Sequence, residues 1–347
     1  MRQFLAILLV FCVVIPASAA SPSDWNQAMR SATLTAVENA LTHYYFIDRV
    51  HKMRAAIEAN RIRLSQIQQP DAFADAVTKV LYNVARDKHI EVDYSSDVLP
   101  DFRKMSAADV ANIQLANRYY NYGLNAAIRL HGNIGYLWVD NFPESPESAY
   151  DAAMSALAHT DALIIDLRDN GGGAPGGVNY LLAFFFAKQT EVTGFLERKN
   201  GVVALQRHYT AAKVGAARYL DKPVFVLISN DTFSGAEQFA YDMKSLHRAE
   251  VVGHITGGGA NPGEEYRLND HFSMFIPFGS GYNPYTKTNW EGVGVAPDVD
   301  APAKNALLVA YVRALKAVKN TFPDSVEVRK EALKDPAKAL RESLPLH

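Results

Sequence analysis

Residues 162–173 read ALIIDLRDNGGG: four apolar residues, Ala162 to Ile165, then a charged turn, then the consecutive glycines Gly171, Gly172 and Gly173. The apolar run has the length and composition of a buried strand. Glycine brings no side chain to pack and loses much backbone entropy on folding, so a run of them at a strand end calls for a reason other than packing. Close approach of backbone N–H groups to a ligand is one such reason. A phosphate loop is disfavoured because G-x-x-x-x-G-K-[ST] is absent. Gly171, Gly173 and Gly176 do fit G-x-G-x-x-G, but Asp166, Arg168 and Asp169 crowd the approach. Pro175 also stands where the helix should already be running. An oxyanion hole and an ordinary loop both remain open on glycine content alone.

Outward from this stretch, short β-rich runs at 133–142, 223–229 and 249–255 alternate with helical patterns at about 145–159, 176–188 and 234–247. That alternation predicts an α/β fold class, a βαβ-built sheet with helices packed on it. Asn200-Gly201 between two β-rich segments predicts a hairpin, taken as a peripheral ribbon. Upstream, residues 24–86 read as helices. Trp25, Met29, Ala32, Ala36, Ala40 and Tyr44 form one stripe, and Phe73, Val77, Val80, Leu81 and Val84 form another, with Asp71 as its expected N-cap. Residues 303–319 and 325–344 predict terminal helices that pack on the surface. The expected division is 1–19 signal peptide, 20–86 helical domain, 87–305 α/β core and 306–347 C-terminal helices.

Composition narrows the function classes. The 347 residues carry 35 basic and 37 acidic side chains, and 48% are hydrophobic, so a large core is available and disorder is excluded. A net charge of −2 offers no electrostatic case for nucleic acid or an anionic membrane. The single cysteine, Cys12, forbids an internal disulfide framework or a zinc ribbon. It falls in an apolar run that follows Arg2 and precedes Ala17-Ser18-Ala19, the layout of a secretory signal peptide. The run is too short to span a membrane, so the expectation is a soluble exported protein, periplasmic or secreted.

Two further segments carry chemistry. In 223–239 a strand leads through Asp231-Thr232-Phe233 to Ser234-Gly235-Ala236-Glu237 and a helix. Ser234 reads either as an N-cap or as a nucleophile at a strand-to-helix turn, with the Gly235 N–H as oxyanion donor; G-x-S-x-G is absent. Segment 256–298 mixes glycines, asparagines and aromatics and ends in Asn289-Trp290-Glu291-Gly292, as the wall of a site would.

Taken in order, 133–137, 166–173, 232–240, 252–263, 289–298 and the upstream Asp87-Lys88-His89 resemble the tail-specific, or C-terminal-processing, serine peptidases. The likeness is greatest to the branch that includes interphotoreceptor retinoid-binding protein. The resemblance implies a ClpP/crotonase-like spiral core behind an N-terminal helical domain, and covalent acyl-enzyme chemistry on polypeptides. The family uses two arrangements. The Ser-Lys dyad places its lysine about 25 positions after the serine; Gly259 stands there, and no lysine occurs between Lys244 and Lys287. The other arrangement, similar to that of the tricorn protease, combines serine, an upstream histidine and a downstream glutamate. Ser234, His89 and Glu291 match it. The tricorn-like pattern has serine just before the histidine, where this chain has Lys88.

The resemblance therefore implies Ser234, His89 and Glu291 as catalytic residues and Gly235 with Gly171 or Gly172 as oxyanion donors. Glu237, Asn170 and Arg168 are expected to support the site. No metal or cofactor is implied, H-E-x-x-H is absent, and no glycine-rich carboxylate-binding loop of a PDZ insertion separates His89 from Asn133. Two other readings stay open: a non-catalytic carrier of retinoid-like or other apolar ligands lined by Phe184, Phe185, Phe186, Tyr282 and Trp290, and an acyl-thioester hydrolase on a crotonase-like core.

Overall fold

The structure, a computed structural model, describes residues 25–199, 201–318 and 323–344. The signal peptide expected at 1–19 lies outside the described residues. Three helices lead the chain: α1 (Gln27–Ala40), α2 (Ile47–Ser65) and α3 (Pro70–Ala85). Pro70 opens α3 at its first turn, where a missing N–H costs nothing, and Asp71 sits inside that turn rather than capping it as expected. Arg86 ends α3 in the left-handed conformation, φ 53°.

There follow β1 (Glu91–Tyr94), α4 (Ala107–Tyr119), β2 (Leu124–Leu130), β3 (Ile134–Val139), α5 (Glu147–Leu157), β4 (Ala162–Asp166) and α6 (Pro175–Ala183). Next come β5 (Glu191–Lys199), β6 (Val202–Tyr209), β7 (Val224–Ile228), α7 (Gly235–Ser245) and β8 (Glu250–Gly253). The chain closes with β9 (Gly263–Arg267), β10 (Phe272–Pro277), β11 (Gly279–Tyr282), β12 (Val299–Asp300), α8 (Ala303–Ala317), α9 (Pro323–Lys334) and α10 (Pro336–Ser343).

The central sheet has the order β12-β8-β7-β4-β3-β2, parallel except for the antiparallel pair β2·β3. From β3 to β8 each successive strand of this sheet is laid beside the previous one in the same direction. Helices α5, α6 and α7 share the core on one of its faces. Both faces are buried, which is why its central strands read as continuous apolar runs. On β4 and β7, Leu163, Ile165, Val224, Val226 and Ile228 join the core under α5–α7. Ala162, Ile164, Phe225 and Leu227 face the other way, onto α8. The expectation of surface-packing terminal helices is therefore corrected for α8: Ala306, Ala310, Tyr311 and Ala314 are fully buried and make it the second layer of the core.

Strands β5 and β6 pair antiparallel as expected, in the register Lys199↔Val202. The pair is not peripheral, because β5 is the middle strand of a sheet ordered β11-β5-β6, and Val192 and Thr193 are buried. A third sheet, ordered β1-β10-β9, lies under α1–α3. Ile90, Val92, Phe272, Met274 and Ile276 from these strands share one core with Leu34, Phe73, Val77 and Leu81 of the helices. This arrangement fixes the turn before β1, and hence residues 87–89, against the central sheet.

Candidate active site

Ser234 stands at the entrance to α7, beyond the carboxyl end of β7. Its backbone, φ 51° and ψ −118°, is far from the extended conformation of an ordinary N-cap. A non-glycine residue in such a region costs on the order of 1–3 kcal/mol and persists only where its surroundings impose it. The surroundings here are specific. The Ser234 N–H donates to Glu237 Oε2 at 2.9 Å. The same buried carboxylate takes Gly259 N at 2.8 Å, Gly258 N at 2.7 Å and the Thr256 hydroxyl. Burial pushes the Glu237 carboxyl up, and these donors pull it back toward the ionised form. Glu237 thus ties the serine's backbone to the 256–259 loop.

His89 reaches Ser234 from the turn between α3 and β1, with Nε2 3.0 Å from Oγ. Its ring lies against Phe233 and Phe275, at centroid distances of 4.6 and 5.8 Å. Burial drives its pKa down to about 4, opposed by the charge of Asp87, so the imidazole is neutral at pH 7 and free to accept a proton. Gly259 explains the missing dyad in space as well as in sequence. A Cβ built there would lie 2.2 Å from Phe233 Cζ and 2.6 Å from His89 Cε1, so the volume a lysine stem would need holds the imidazole and its aromatic neighbour.

Glu291 is brought to the same place. One of its oxygens, one of Asp87 and a ring nitrogen of His89 lie within 4.8 Å of one another. Glu291 Oε2 accepts from Ala260 N at 2.6 Å, while Oε1 is buried without a partner. Burial first, then the charge of Asp87, raise its pKa to about 7. The neighbouring Trp290 is held by a bond from Nε1 to Gly259 O at 2.8 Å. Lys88, standing where a serine would help hold the glutamate, turns away and donates to Gly257 O at 2.6 Å.

The glycine loop is placed with one correction. Asn170, fully buried, donates to Val139 O at 3.0 Å and accepts Gly172 N at 2.8 Å, so it fixes the loop as expected. That bond occupies the Gly172 N–H and removes it from the expected oxyanion donors. Gly172 serves instead by lacking a Cβ, which would fall 2.7 Å from Ser234 Cβ. The glycine nitrogen beside Gly235 is that of Gly173, 3.3 Å from where a Gly235 Cβ would be, and neither N–H meets an acceptor among the described residues. Gly171 is exposed at the rim. Arg168 is also corrected: it pairs with Asp166 through two bonds, at 2.9 and 2.6 Å, and donates to Ala303 O, anchoring α8 to the end of β4 rather than shaping the loop.

Asp87 and Asn261 were not singled out in the sequence, although Asp87 lay in the Asp87-Lys88-His89 motif. Asp87 Oδ1 accepts His89 N at 3.0 Å, and Asn261 Nδ2 donates to Asp87 Oδ2 at 3.0 Å. Asp87, His89 and Glu291 are also the one group of possible metal ligands found among the described residues. The aromatic residues proposed to line a carrier cavity are mostly core: Phe184, Phe185 and Trp290 are each at most 3% exposed.

Residues 133–301 match the model of peptidase family S41, a stretch that includes Ser234 and Glu291 and leaves His89 upstream. Carboxyl-terminal-processing peptidase 2, chloroplastic, of Arabidopsis thaliana is 27% identical over 209 residues, which are 59% of this chain and 36% of that relative. The chain thus spans little more than a third of the length of this curated relative. A putative peptidase from Parabacteroides merdae superposes with a TM-score of 0.50 at 20% identity, covering 80% of this chain and 89% of that one. A lipoprotein from Streptococcus agalactiae gives 0.56 at 11% identity, covering 83% and 97%. These two structures share the fold. Over residues 133–301, then, the α/β core is similar to peptidase family S41.

Proposed function

We propose that the protein is a serine peptidase acting on polypeptides through an acyl-enzyme. The observation that carries this reading is the 3.0 Å approach of the buried His89 Nε2 to the hydroxyl of a serine held in a strained backbone conformation at a helix entrance. A serine hydroxyl is a poor nucleophile at neutral pH without a base. As Ser234 Oγ attacks the peptide carbonyl, its proton passes to Nε2 and is returned to the leaving amine; water then repeats the sequence on the ester. The N–H groups of Gly235 and Gly173 point the developing oxyanion's charge into fixed dipoles, where losing one donor typically costs ~2.7–4 kcal/mol. Acidic groups beside the imidazole stabilise the imidazolium.

Between His89 and the central sheet, residues 95–123 hold α4, and the sequence there has no glycine-rich carboxylate-binding loop. A polypeptide would therefore be gripped by the core itself, by strand addition or a local pocket. Export is part of the proposal and rests on residues 1–19; no helix among the described residues is long and apolar enough to cross a membrane. The carrier reading loses support because its lining is packed core. The test is cleavage of an unfolded polypeptide by wild type and Ser234→Ala. Turnover by wild type alone, with equal unfolding midpoints, is the expected result; equal turnover by both would reject the assignment.

A further inference from the structure

An imidazole acts as a base through Nε2 only while Nδ1 carries the proton, so whatever faces Nδ1 decides whether His89 is competent. In this structure His89 Nδ1 is buried without a hydrogen-bond partner. Two carboxylates compete for it, and they are held very differently. Asp87, 1% exposed, has Oδ1 3.9 Å from Nδ1. It receives three hydrogen bonds: His89 N on Oδ1 at 3.0 Å, and Tyr44 OH and Asn261 Nδ2 on Oδ2 at 3.1 and 3.0 Å. Three donors stabilise the anion and fix its rotamer. Glu291 is bonded only through Oε2, and its buried Oε1 has no donor. Asp87 is thus the more firmly held of the two, with an oxygen 3.9 Å from Nδ1.

Resting on the serine-peptidase reading of Ser234 and His89, we propose that Asp87 is the positioning residue that sets the tautomer of His89 and carries the negative charge facing its imidazolium, with Glu291 secondary. During acylation the Oγ–carbonyl carbon bond forms as the Ser234 proton moves to Nε2. The imidazolium then bears a proton on each nitrogen, and Nδ1–H is directed at the Asp87 carboxylate. The Nε2 proton then passes to the leaving nitrogen as the carbonyl carbon–nitrogen bond breaks, which frees the amine. Closing 3.9 Å to hydrogen-bond distance requires a shift of about 1 Å, the kind of tightening expected when substrate binds.

The remaining ionisable groups around the imidazole are accounted for. Glu237 of α7 is filled by its four donors, Lys88 is turned outward to Gly257 O, and Tyr44 donates to Asp87. The test is steady-state hydrolysis of an activated p-nitrophenyl ester across pH by wild type, Asp87→Asn, Glu291→Gln and Tyr44→Phe.

Asp87→Asn should lower kcat by about 10²-fold or more with KM within about threefold, and Glu291→Gln by about tenfold or less. The acid limb of kcat/KM should move to lower pH in Asp87→Asn, because the anion that favours the imidazolium is gone; a loss of folded protein alone would leave the limb in place. Tyr44→Phe removes one Asp87 donor and leaves His89 untouched, so a severalfold lower kcat is expected, and this variant decides the matter where Asp87→Asn fails to fold. A deeper loss in Glu291→Gln than in Asp87→Asn overturns the proposal. So does an unmoved acid limb, or an unchanged Tyr44→Phe. Absence of wild-type hydrolysis would remove the serine-peptidase reading and the proposal with it.

Discussion

Gly259 shows how much a single absent side chain decides. The site it borders is closed by Phe233 and His89, and any Cβ there must push one of them. Gly259→Ala is expected to lower kcat by at least about tenfold while leaving KM within about threefold, because the displaced atom belongs to the base rather than to a binding surface. Gly259→Lys should be no more active; an active Gly259→Lys enzyme, measured by steady-state kinetics, would show that a lysine can be accommodated after all. At this scale the sequence was partly legible. Ser234, His89 and Glu291 could be picked out because family-like motifs occur in order, although 145 positions separate the first two. Asp87 could not, because nothing in a sequence says which of two carboxylates gathers donors from Tyr44 and Asn261. The choice between Gly172 and Gly173 was equally hidden, since it depends on where the Asn170 side chain turns.

Among the elements, α7 links the site to the rest of the molecule. Its first turn carries Ser234 and Glu237, and its last carries Asp242, a fully buried carboxyl that accepts from Thr193 N, Thr193 Oγ1 and Asn283 Nδ2 at 3.1, 2.8 and 2.9 Å. Asp242 thereby joins α7 to β5 and to the turn after β11. Burial raises its pKa to about 7, partly offset by those donors. A carboxyl whose folded pKa exceeds its unfolded value favours the folded state in its protonated form, so its contribution is fully present below about pH 4 and is lost as pH rises toward 7. Asp242→Asn cannot ionise and escapes that loss. Thermal unfolding should therefore show the variant gaining relative to wild type between pH 5 and pH 8, by about 1 kcal/mol or more; a pH-independent difference would contradict the assigned shift. Elements with a single period were readable from sequence, as β4, β7 and the β5–β6 pair demonstrate. Strands β1, β9 and β10 were not, because their mixed polar and apolar residues, such as Glu91, Asp93 and Glu265, answer to partners far along the chain.

For the whole molecule, the candidate site lies where two packing units meet: His89 hangs from the helical layer and its small sheet, Ser234 from the central sheet. The opposite face of the central sheet is sealed by α8, whose role was obscured in sequence because its alanine-rich face looks mild until it is laid against Ile164 and Leu227. Tyr311→Ala should test that separation of duties. Tyr311 is fully buried and its hydroxyl donates to His131 O at 3.0 Å, so its truncation should cost about 3–5 kcal/mol in denaturant unfolding. Turnover per folded molecule should stay within about threefold of wild type, because α8 packs on the sheet face away from α7. A selective loss of kcat with unchanged stability would place α8 in the catalytic apparatus and contradict this division.

The claim on which the account depends is that Ser234 is a nucleophile activated by His89. The most direct measurement is mass-spectrometric mapping after exposure to a fluorophosphonate. A single phosphonyl adduct on Ser234, absent from Ser234→Ala and slowed at least about 10²-fold in His89→Ala, is the expected result. No adduct on native protein, or an adduct whose rate is indifferent to His89, would contradict it.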